Sequence, residues 1–168
     1  TYVTEVLGKR AGCNTMGALS AMTNDEGSYF VCDTHVNPDP SAEQLAELTV
    51  MAAEKVRMFG IQPKVALLSH SSFGSHVNEP ASKMRKVLKL VRERAPELEV
   101  EGEMRADAAL IPDIRQRIFP NSMLKGQANL FIMPDQDAAH IAFGMTRTIG
   151  KGVSVGPILM GAGKPAHV

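Results

Sequence analysis

The sequence has no excess of charge of either sign and no long apolar run. Its 18 basic side chains balance 18 acidic ones over 168 residues, so no net field draws the chain to nucleic acid or to a membrane surface. No run approaches the ~20 apolar residues of a membrane-spanning helix, and the first residues, TYVTEVLGKR, lack the apolar centre of a signal peptide. We therefore expect a cytoplasmic protein that binds any charged ligand through local groups.

Several signatures of familiar sites are also absent. The two cysteines have no CxxC spacing, which favours reduced, buried thiols over a disulfide or a zinc site. The five histidines form no HxxxH or HExxH pattern, and the chain lacks the GxxxxGK[ST], GxGxxG and GxSxG motifs. No metal, dinucleotide or serine-hydrolase site is therefore predicted.

The apolar pattern predicts one domain over residues 1–168 in which strands alternate with helices. Two apolar stretches around 24–27 predict an antiparallel hairpin, and later strands are predicted at KVALLS, LEVEGEM, ANLFIM and VSVGPILM. Helices are predicted from a cap at Asp39 to Gly60, over about 80–94, over 107–117, and over DQDAAHIAFGMTRTIG. This order predicts a three-layer α/β/α fold with a mainly parallel sheet, whose antiparallel edge is the opening hairpin.

Small polar residues follow the strand KVALLS, where an α/β sheet commonly binds ligands. In open parallel sheets, ligands settle beyond the carboxyl ends of the strands. Hydroxyls, a flexible backbone position and two cations occur there: Ser71, Ser72, Ser75, Gly74, Lys83 and Arg85. These groups suit an anionic ligand such as a phosphate, although an ordinary polar loop whose serines cap a helix has the same composition.

The same loop contains three residues for which two interpretations stay open. Phe73 either covers a ligand or packs on the core. His70 and His76 either assist anion binding or are incidental loop residues.

The strand LEVEGEM raises a second pair of alternatives. Glu101 and Glu103 lie on one face of the predicted strand, either as a carboxylate cluster or as a solvated strand face. Asp107 follows the strand and either caps the next helix or orients a ligand.

Five blocks of the chain resemble, in order, blocks of the phosphate acetyltransferase family: DTHVNPDPSAEQLAEL, PKVALLSHSSFGS, EVEGEMRADAAL, LKGQANLFIMPDQDAAHIAF and VGPILMGAGKP. The resemblance covers nearly the whole chain from Asp33 onward. Free-standing transferases commonly have tyrosine where this chain has His70 and threonine where it has Ser72. Within the family the chain therefore resembles most the transferase-like C-terminal domain of bacterial NADP-dependent malic enzymes.

The resemblance implies that the chain is one part of a larger protein. The family fold has two α/β subdomains with the active-site cleft between them, and this chain resembles the second, which carries the family's dimer contact. The first subdomain and a serine-arginine segment beyond GAGKPAHV would then lie outside this sequence. The start at Thr1, without an initiator methionine, agrees with a processed or excised segment.

The resemblance also implies a function, with two alternatives. The expected role is that of the acetyl-CoA-binding regulatory portion of a malic enzyme, which oxidatively decarboxylates malate to pyruvate. The alternatives are a catalytic phosphate acetyltransferase that moves acetyl between acetyl phosphate and CoA, and a dimerisation module without a ligand. The expected partners are a second copy and the malic-enzyme domain. NADP and a divalent metal are expected in that domain, whereas this segment is expected to be non-catalytic alone.

The resemblance also implies which residues of this chain line the cleft. Ser71, Ser72, Gly74 and Ser75 are expected at its phosphate or pantetheine side. Further ligand-binding positions are expected around the strand ANLFIM, with Lys125 and Asn129 near its entry and Asp135 after its exit. Lys164 and Pro165 are expected close to the serine-arginine segment. No catalytic residue and no metal ligand are implied.

Overall fold

The computed structural model describes residues 2–163, with side chains from residue 5 onward, so Lys164 and Pro165 lie outside the described residues. The elements are α1 (Tyr2–Leu7), β1 (Gly17–Asn24), β2 (Gly27–Cys32), α2 (Ala42–Met58), β3 (Val65–Leu68), α3 (Glu79–Arg94), β4 (Val100–Met104), α4 (Ala106–Leu110), α5 (Pro112–Ile118), β5 (Leu130–Ile132), α6 (Gln136–Ile149) and β6 (Val153–Met160). No helix in this range has the length and apolar content needed to cross a bilayer.

The six strands form one sheet in the order β4-β3-β5-β2-β1-β6. Strands β2, β5, β3 and β4 pair in parallel, whereas β1 is antiparallel to both of its neighbours, β2 and β6. The predicted mainly parallel sheet and its hairpin are confirmed.

The predicted position of the hairpin at the sheet edge is wrong, because β6 lies outside β1. The register pairs Gly17 with Met160 and Thr23 with Val153. Strand β1 is buried along its first six residues, so an exposed edge would leave its backbone N–H and C=O groups unpaired. Strand β6 supplies the hydrogen-bond partners of β1. The sequence pattern around residues 18–34 does not predict this pairing.

Helices cover both faces of the sheet, as the predicted three layers require. On one face, α2 and α3 pack through Leu48, Val56 and Val87 onto sheet residues such as Leu67. On the other face, α4 and α6 pack through alanines onto a second apolar cluster that includes Phe131. The parallel strands therefore end along one edge, which we call the carboxyl edge, and begin along the opposite amino edge.

The start of α2 differs from the prediction, because Ser41 and not Asp39 is its cap. The Ser41 hydroxyl accepts a hydrogen bond from the Gln44 N–H at 3.2 Å, and the Gln44 side chain accepts one from the Ser41 N–H at 2.9 Å. This reciprocal pair satisfies two backbone donors at once. Asp39 lies two residues too early and instead binds Lys83.

The helix predicted over 107–117 is divided at Pro112. Helix α4 ends at Leu110, and α5 begins with Pro112 in its first turn. Proline has no N–H to continue the hydrogen-bond ladder of α4, whereas it suits the start of a new helix.

Both cysteines are free thiols, as predicted. Cys32 is buried at the end of β2, and burial raises the pKa of its thiol well above the ordinary value, with the charge of Asp33 adding to the effect. Cys13 is only partly buried and lies 3.7 Å, sulfur to sulfur, from Met51. Cys32 is therefore held in its unreactive protonated form.

A buried arginine on α5 holds the segment between α4 and β5 in place. The Arg115 guanidinium is 1% exposed and donates to the carbonyl oxygens of Ala108, Leu124 and Gly126 at 2.9, 3.2 and 2.5 Å. Burial lowers the pKa of Arg115, while the charge of Glu101 opposes that shift. The planar guanidinium thus satisfies carbonyls that no neighbouring helix or strand pairs.

We expect Arg115→Met to lower the free energy of unfolding by about 2–4 kcal/mol, because it keeps the length of the side chain and leaves buried carbonyls without donors. Arg117→Met, at an exposed position of the same helix, is the matched control and should change stability by no more than about 0.5 kcal/mol. Urea unfolding of both variants measures the difference. Equal losses of unfolding free energy in the two variants would show that the carbonyl contacts of Arg115 do not stabilise the fold.

Candidate ligand-binding site at the carboxyl edge

The loop that follows β3, residues 69–78, packs against the end of β4 at the carboxyl edge. The Phe73 N–H donates to the Glu103 carbonyl at 2.8 Å, and the Arg105 N–H donates to the Ser72 hydroxyl oxygen at 3.2 Å. The loop therefore lies at the predicted edge of the sheet, and β4 fixes its conformation.

The carboxylate of Glu103 lies at the centre of this loop and takes the donors predicted for a ligand. Its Oε1 accepts hydrogen bonds from the Ser71 hydroxyl at 2.9 Å, the Gly74 N–H at 2.8 Å and the Arg85 guanidinium at 2.9 Å. Glu103 and Ser71 have no exposed surface. Among the described residues, Oε2 of Glu103 has no hydrogen-bond partner. The anion in this cradle is thus the protein's own carboxylate.

Ser72 is also buried, whereas Ser75 is exposed and binds within the loop. The Ser75 hydroxyl accepts from the Ser72 N–H at 3.0 Å and lies 3.2 Å from Nδ1 of His76. His76 is exposed, and its ring centroid is 5.4 Å from that of His70. The solvent side of the loop therefore presents imidazoles more than hydroxyls.

Phe73 packs within the fold against the second apolar cluster, as the core-packing alternative predicts. Its ring stacks on that of Phe119, with centroids 4.5 Å apart and planes 15° apart. Phe73 and Gly74 both have positive φ, 49° and 85°. This left-handed turn lets the Gly74 N–H reach Glu103, and glycine adopts it without strain.

Neither glutamate of β4 forms a solvated strand face, so that alternative is wrong. Glu101 is 2% exposed and Glu103 is fully buried. Glu101 pairs with Arg92 at 3.1 Å and accepts from the Met123 N–H at 2.9 Å. Each carboxylate therefore has its own arginine on α3, as buried charges require.

Asp107 lies in the first turn of α4. Its carboxylate accepts from the Ala108 N–H at 2.9 Å and lies 3.2 Å from the Arg105 guanidinium. The N-cap position belongs to Arg105, whose side chain makes no capping bond. Asp107 thus stabilises the helix start from inside the first turn, where the helix dipole favours a negative charge.

A groove of about 660 Å³ at the carboxyl edge brings together two other predicted residues, Lys83 and Asp135. It lies between the starts of α2, α3 and α6, and we call it the N-terminal groove. Lys83 is the only cation among its described lining residues, and its Nζ is 2.8 Å from Asp39. Asp135 caps α6 by accepting from the Ala138 N–H at 2.8 Å. The groove thus combines three helix starts and one ammonium group with four carboxylates, those of Asp39, Glu79, Asp135 and Asp137.

Lys125 and Asn129 lie at the opposite, amino edge. The Asn129 side chain accepts from the Lys64 N–H at 2.8 Å and donates to the Gln62 carbonyl at 2.8 Å, both just before β3. The Lys125 carbonyl accepts from the Lys64 ammonium at 2.6 Å. The structure therefore does not bring these two residues together with the loop 69–78.

Asp33 is a carboxyl-edge residue that the sequence analysis did not identify. It is buried at the end of β2, with a φ of 58°, and accepts hydrogen bonds from the N–H groups of Ala18, Val36 and Asn37 at 3.0–3.2 Å. Burial raises the pKa of Asp33, and these hydrogen bonds oppose the shift. In the sequence, Asp33 directly follows a strand and Asn37 comes four residues later, a pattern that predicts a turn held by side-chain hydrogen bonds.

Histidines also meet near Asp33. The rings of His35 and His140 are 5.4 Å apart, and Nδ1 of His35 is 2.7 Å from the Thr34 hydroxyl. Within the described residues, no three His, Cys, Asp or Glu side chains come together as metal ligands.

A second cavity, of about 780 Å³, lies on the face of the sheet between α4 and α6, and we call it the apolar groove. Phe131 forms part of its floor, and Leu110 and Ile149 contribute to its sides. Of the described residues that line it, Glu26 alone has a charged side chain. This surface suits apolar contacts, in contrast to the N-terminal groove.

A sequence model of the phosphate acetyl/butaryl transferase family matches residues 2–168. The chain belongs to this family. It is 54% identical over 169 aligned residues to the NADP-dependent malic enzyme of Escherichia coli, an alignment that covers 100% of this chain and 22% of that protein. The phosphate acetyltransferase of Bacillus subtilis is 32% identical over 163 residues, with 97% of this chain and 50% of that protein covered.

The fold agrees with this family assignment. The structure matches EutD phosphotransacetylase from Staphylococcus aureus with a TM-score of 0.92 at 29% identity, over 98% of this chain and 51% of that one. The chain thus spans about half the length of these transferases and about a fifth of the malic enzyme. The predicted family resemblance and α/β fold are confirmed.

We expect Glu103→Ala to lower the free energy of unfolding by about 2–4 kcal/mol, because it removes the shared acceptor of Ser71, Gly74 and Arg85. Urea unfolding measures this loss, and the Gly74 amide should also exchange its hydrogen faster. Glu97→Ala is the control, since Glu97 is exposed and makes only a 4.0 Å ion pair. Unchanged Gly74 exchange in Glu103→Ala would contradict a loop held by this carboxylate.

Proposed function

We propose that this chain is the acetyl-CoA-binding regulatory portion of an NADP-dependent malic enzyme, which oxidatively decarboxylates malate to pyruvate. The observation that carries the proposal is the 54% identity to such an enzyme over the full length of the chain, against 32% for the free-standing transferase. The NADP and the divalent metal of the reaction would belong to a separate malic-enzyme domain. This segment would supply the effector site and self-association.

The N-terminal groove is where we propose that the anionic end of acetyl-CoA binds. The starts of α2, α3 and α6 line this groove, where the helix dipoles favour negative charge, and Lys83 adds a positive charge beside the carboxylates of Asp39, Glu79, Asp135 and Asp137. The loop 69–78 has fewer donors to offer, since Ser71, Gly74 and Arg85 bind Glu103. We propose that the loop borders the site and that its exposed Ser75 and His76 face the ligand.

Regulation would require acetyl-CoA to favour one arrangement of the assembled enzyme over another. The regulatory proposal does not need an acyl-transfer step, because binding energy alone shifts such an equilibrium. The transferase alternative has family membership in its favour. It requires the thiolate of CoA to attack the carbonyl of acetyl phosphate, releasing phosphate, in a cleft completed by residues beyond this chain.

We expect acetyl-CoA to bind the full-length protein and to change its rate of malate turnover. Calorimetric titration measures the affinity, and NADPH formation measures turnover with and without acetyl-CoA. Lys83→Met should weaken the affinity about tenfold, equivalent to ~1.4 kcal/mol, by removing a charge-assisted contact. Lys89→Met, at an exposed position of the same helix, should leave the affinity unchanged.

Two outcomes would count against the regulatory function. Malate turnover that is identical at zero and saturating acetyl-CoA would exclude regulation. Release of phosphate from acetyl phosphate and CoA at a rate far above background would favour the catalytic alternative. If neither ligand binds and the protein still self-associates, the dimerisation alternative remains.

A further inference from the structure

Two exposed histidines from distant parts of the sequence meet at the carboxyl edge. His35 lies in the loop after β2, and His140 lies near the start of α6. Their ring centroids are 5.4 Å apart, and the ring planes are at 75° to each other. Because the two residues belong to different elements, no spacing motif in the sequence predicts the pair.

One buried residue, Thr34, orients both imidazole rings. Its carbonyl oxygen is 3.3 Å from Nδ1 of His140 and can only accept, so this nitrogen carries the proton. Its hydroxyl is 2.7 Å from Nδ1 of His35 and 2.8 Å from the Ser20 hydroxyl. When the Thr34 hydroxyl donates to Ser20, its oxygen accepts from Nδ1–H of His35 as well. Both rings are then neutral, and each has its free lone pair on Nε2.

The two Nε2 atoms are available to a ligand. Among the described residues, neither atom has a hydrogen-bond partner. Each lies on the side of its ring that is remote from Thr34, and both side chains are exposed. A histidine that binds a metal through one nitrogen typically donates its other ring N–H to a carbonyl or a similar acceptor, which fixes the tautomer and the ring orientation. Thr34 supplies such an acceptor to both histidines.

We propose that Nε2 of His35 and Nε2 of His140 together bind one divalent transition-metal ion such as Zn²⁺. With Zn–N distances of about 2.0–2.1 Å and a tetrahedral angle, the centroids of two bound imidazoles are ~5.2 Å apart, and these rings are 5.4 Å apart. Imidazole nitrogen suits Zn²⁺, Ni²⁺ and Cu²⁺, whereas Mg²⁺ and Ca²⁺ prefer oxygen ligands. The site is separate from the metal proposed for the malic-enzyme domain and is independent of acetyl-CoA binding.

Such an ion would keep two coordination positions open. Within the described residues, no third His, Cys, Asp or Glu side chain joins the pair. Water or a donor atom of a bound ligand would therefore complete the tetrahedron, as at zinc sites that keep an open position. The ion would also connect the loop after β2 to the start of α6.

A second pair of histidines provides the matched control. His70 and His76 have the same centroid separation of 5.4 Å. However, Nε2 of His70 is 2.9 Å from Nδ2 of Asn78, whose Oδ1 accepts from the Ala81 N–H. The Asn78 amide therefore donates to Nε2 and occupies the lone pair of neutral His70. We expect no metal ion to bind between these two rings.

The test is calorimetric titration of the full-length protein with Zn²⁺ after removal of bound metal by a chelator. Excess Mg²⁺ fills the sites that are built from oxygen ligands. His35→Gln and His140→Gln should each weaken the binding of one Zn²⁺ per chain at least about tenfold, because each removes one of the two protein ligands. His76→Gln should leave the affinity for Zn²⁺ unchanged. Co²⁺ in place of Zn²⁺ should give a visible absorption band that His35→Gln and His140→Gln abolish.

Three outcomes would overturn the proposal. They are no binding of Zn²⁺ to the unsubstituted protein, equal affinity in His35→Gln and His140→Gln, and an equal loss of affinity in His76→Gln. Because both histidines are exposed, their substitution should not unfold the chain, and urea unfolding of each variant checks this. Acetyl-CoA titration of the same samples separates the two proposals: Zn²⁺ binding without acetyl-CoA binding rejects only the effector function, and the converse rejects only the metal site.

Discussion

The buried carboxylate of Glu103 is the interaction on which the carboxyl edge depends. A charge without solvent contact is stable only when paired and hydrogen-bonded, and Ser71, Gly74 and Arg85 supply these contacts to its Oε1 from the loop after β3 and from α3. The same contacts join β3, β4 and α3 at their ends. A loop rich in hydroxyls and amides therefore has a structural anion at its centre, and composition alone does not distinguish it from a phosphate site.

Helix geometry explains why the two predicted cations do not act together. Lys83 and Arg85 are two residues apart on α3, which places their side chains about 200° apart around the helix axis. Arg85 consequently reaches Glu103, and Lys83 reaches Asp39 in the N-terminal groove. This separation could have been predicted from the sequence, as could the placement of Asn129 at the amino edge, because it precedes β5.

Local pattern predicted most of the fold, and the remainder depended on distant contacts. Apolar runs and turn residues identified the strands and helices, and the Ser41 capping box was readable as S-x-x-Q. The pairing of β6 with β1 was not readable, since the two strands are far apart in sequence. Nor did alternation in LEVEGEM show that both glutamates are buried, because this depended on where arginines of α3 would lie.

Helix α6 begins at the groove proposed for the ligand. Asp135 caps it there, and its apolar residues Ile141, Met145 and Ile149 are exposed further along. Because hydrogen bonds make a helix of 14 residues stiff over its length, a ligand that shifted its first turn would also move these residues. The sheet beneath is closed by β6, and α2 on the other face has nine buried residues against one in α6. Of these two helices, α6 thus has the smaller buried contact with the fold, and moving it costs less than moving α2.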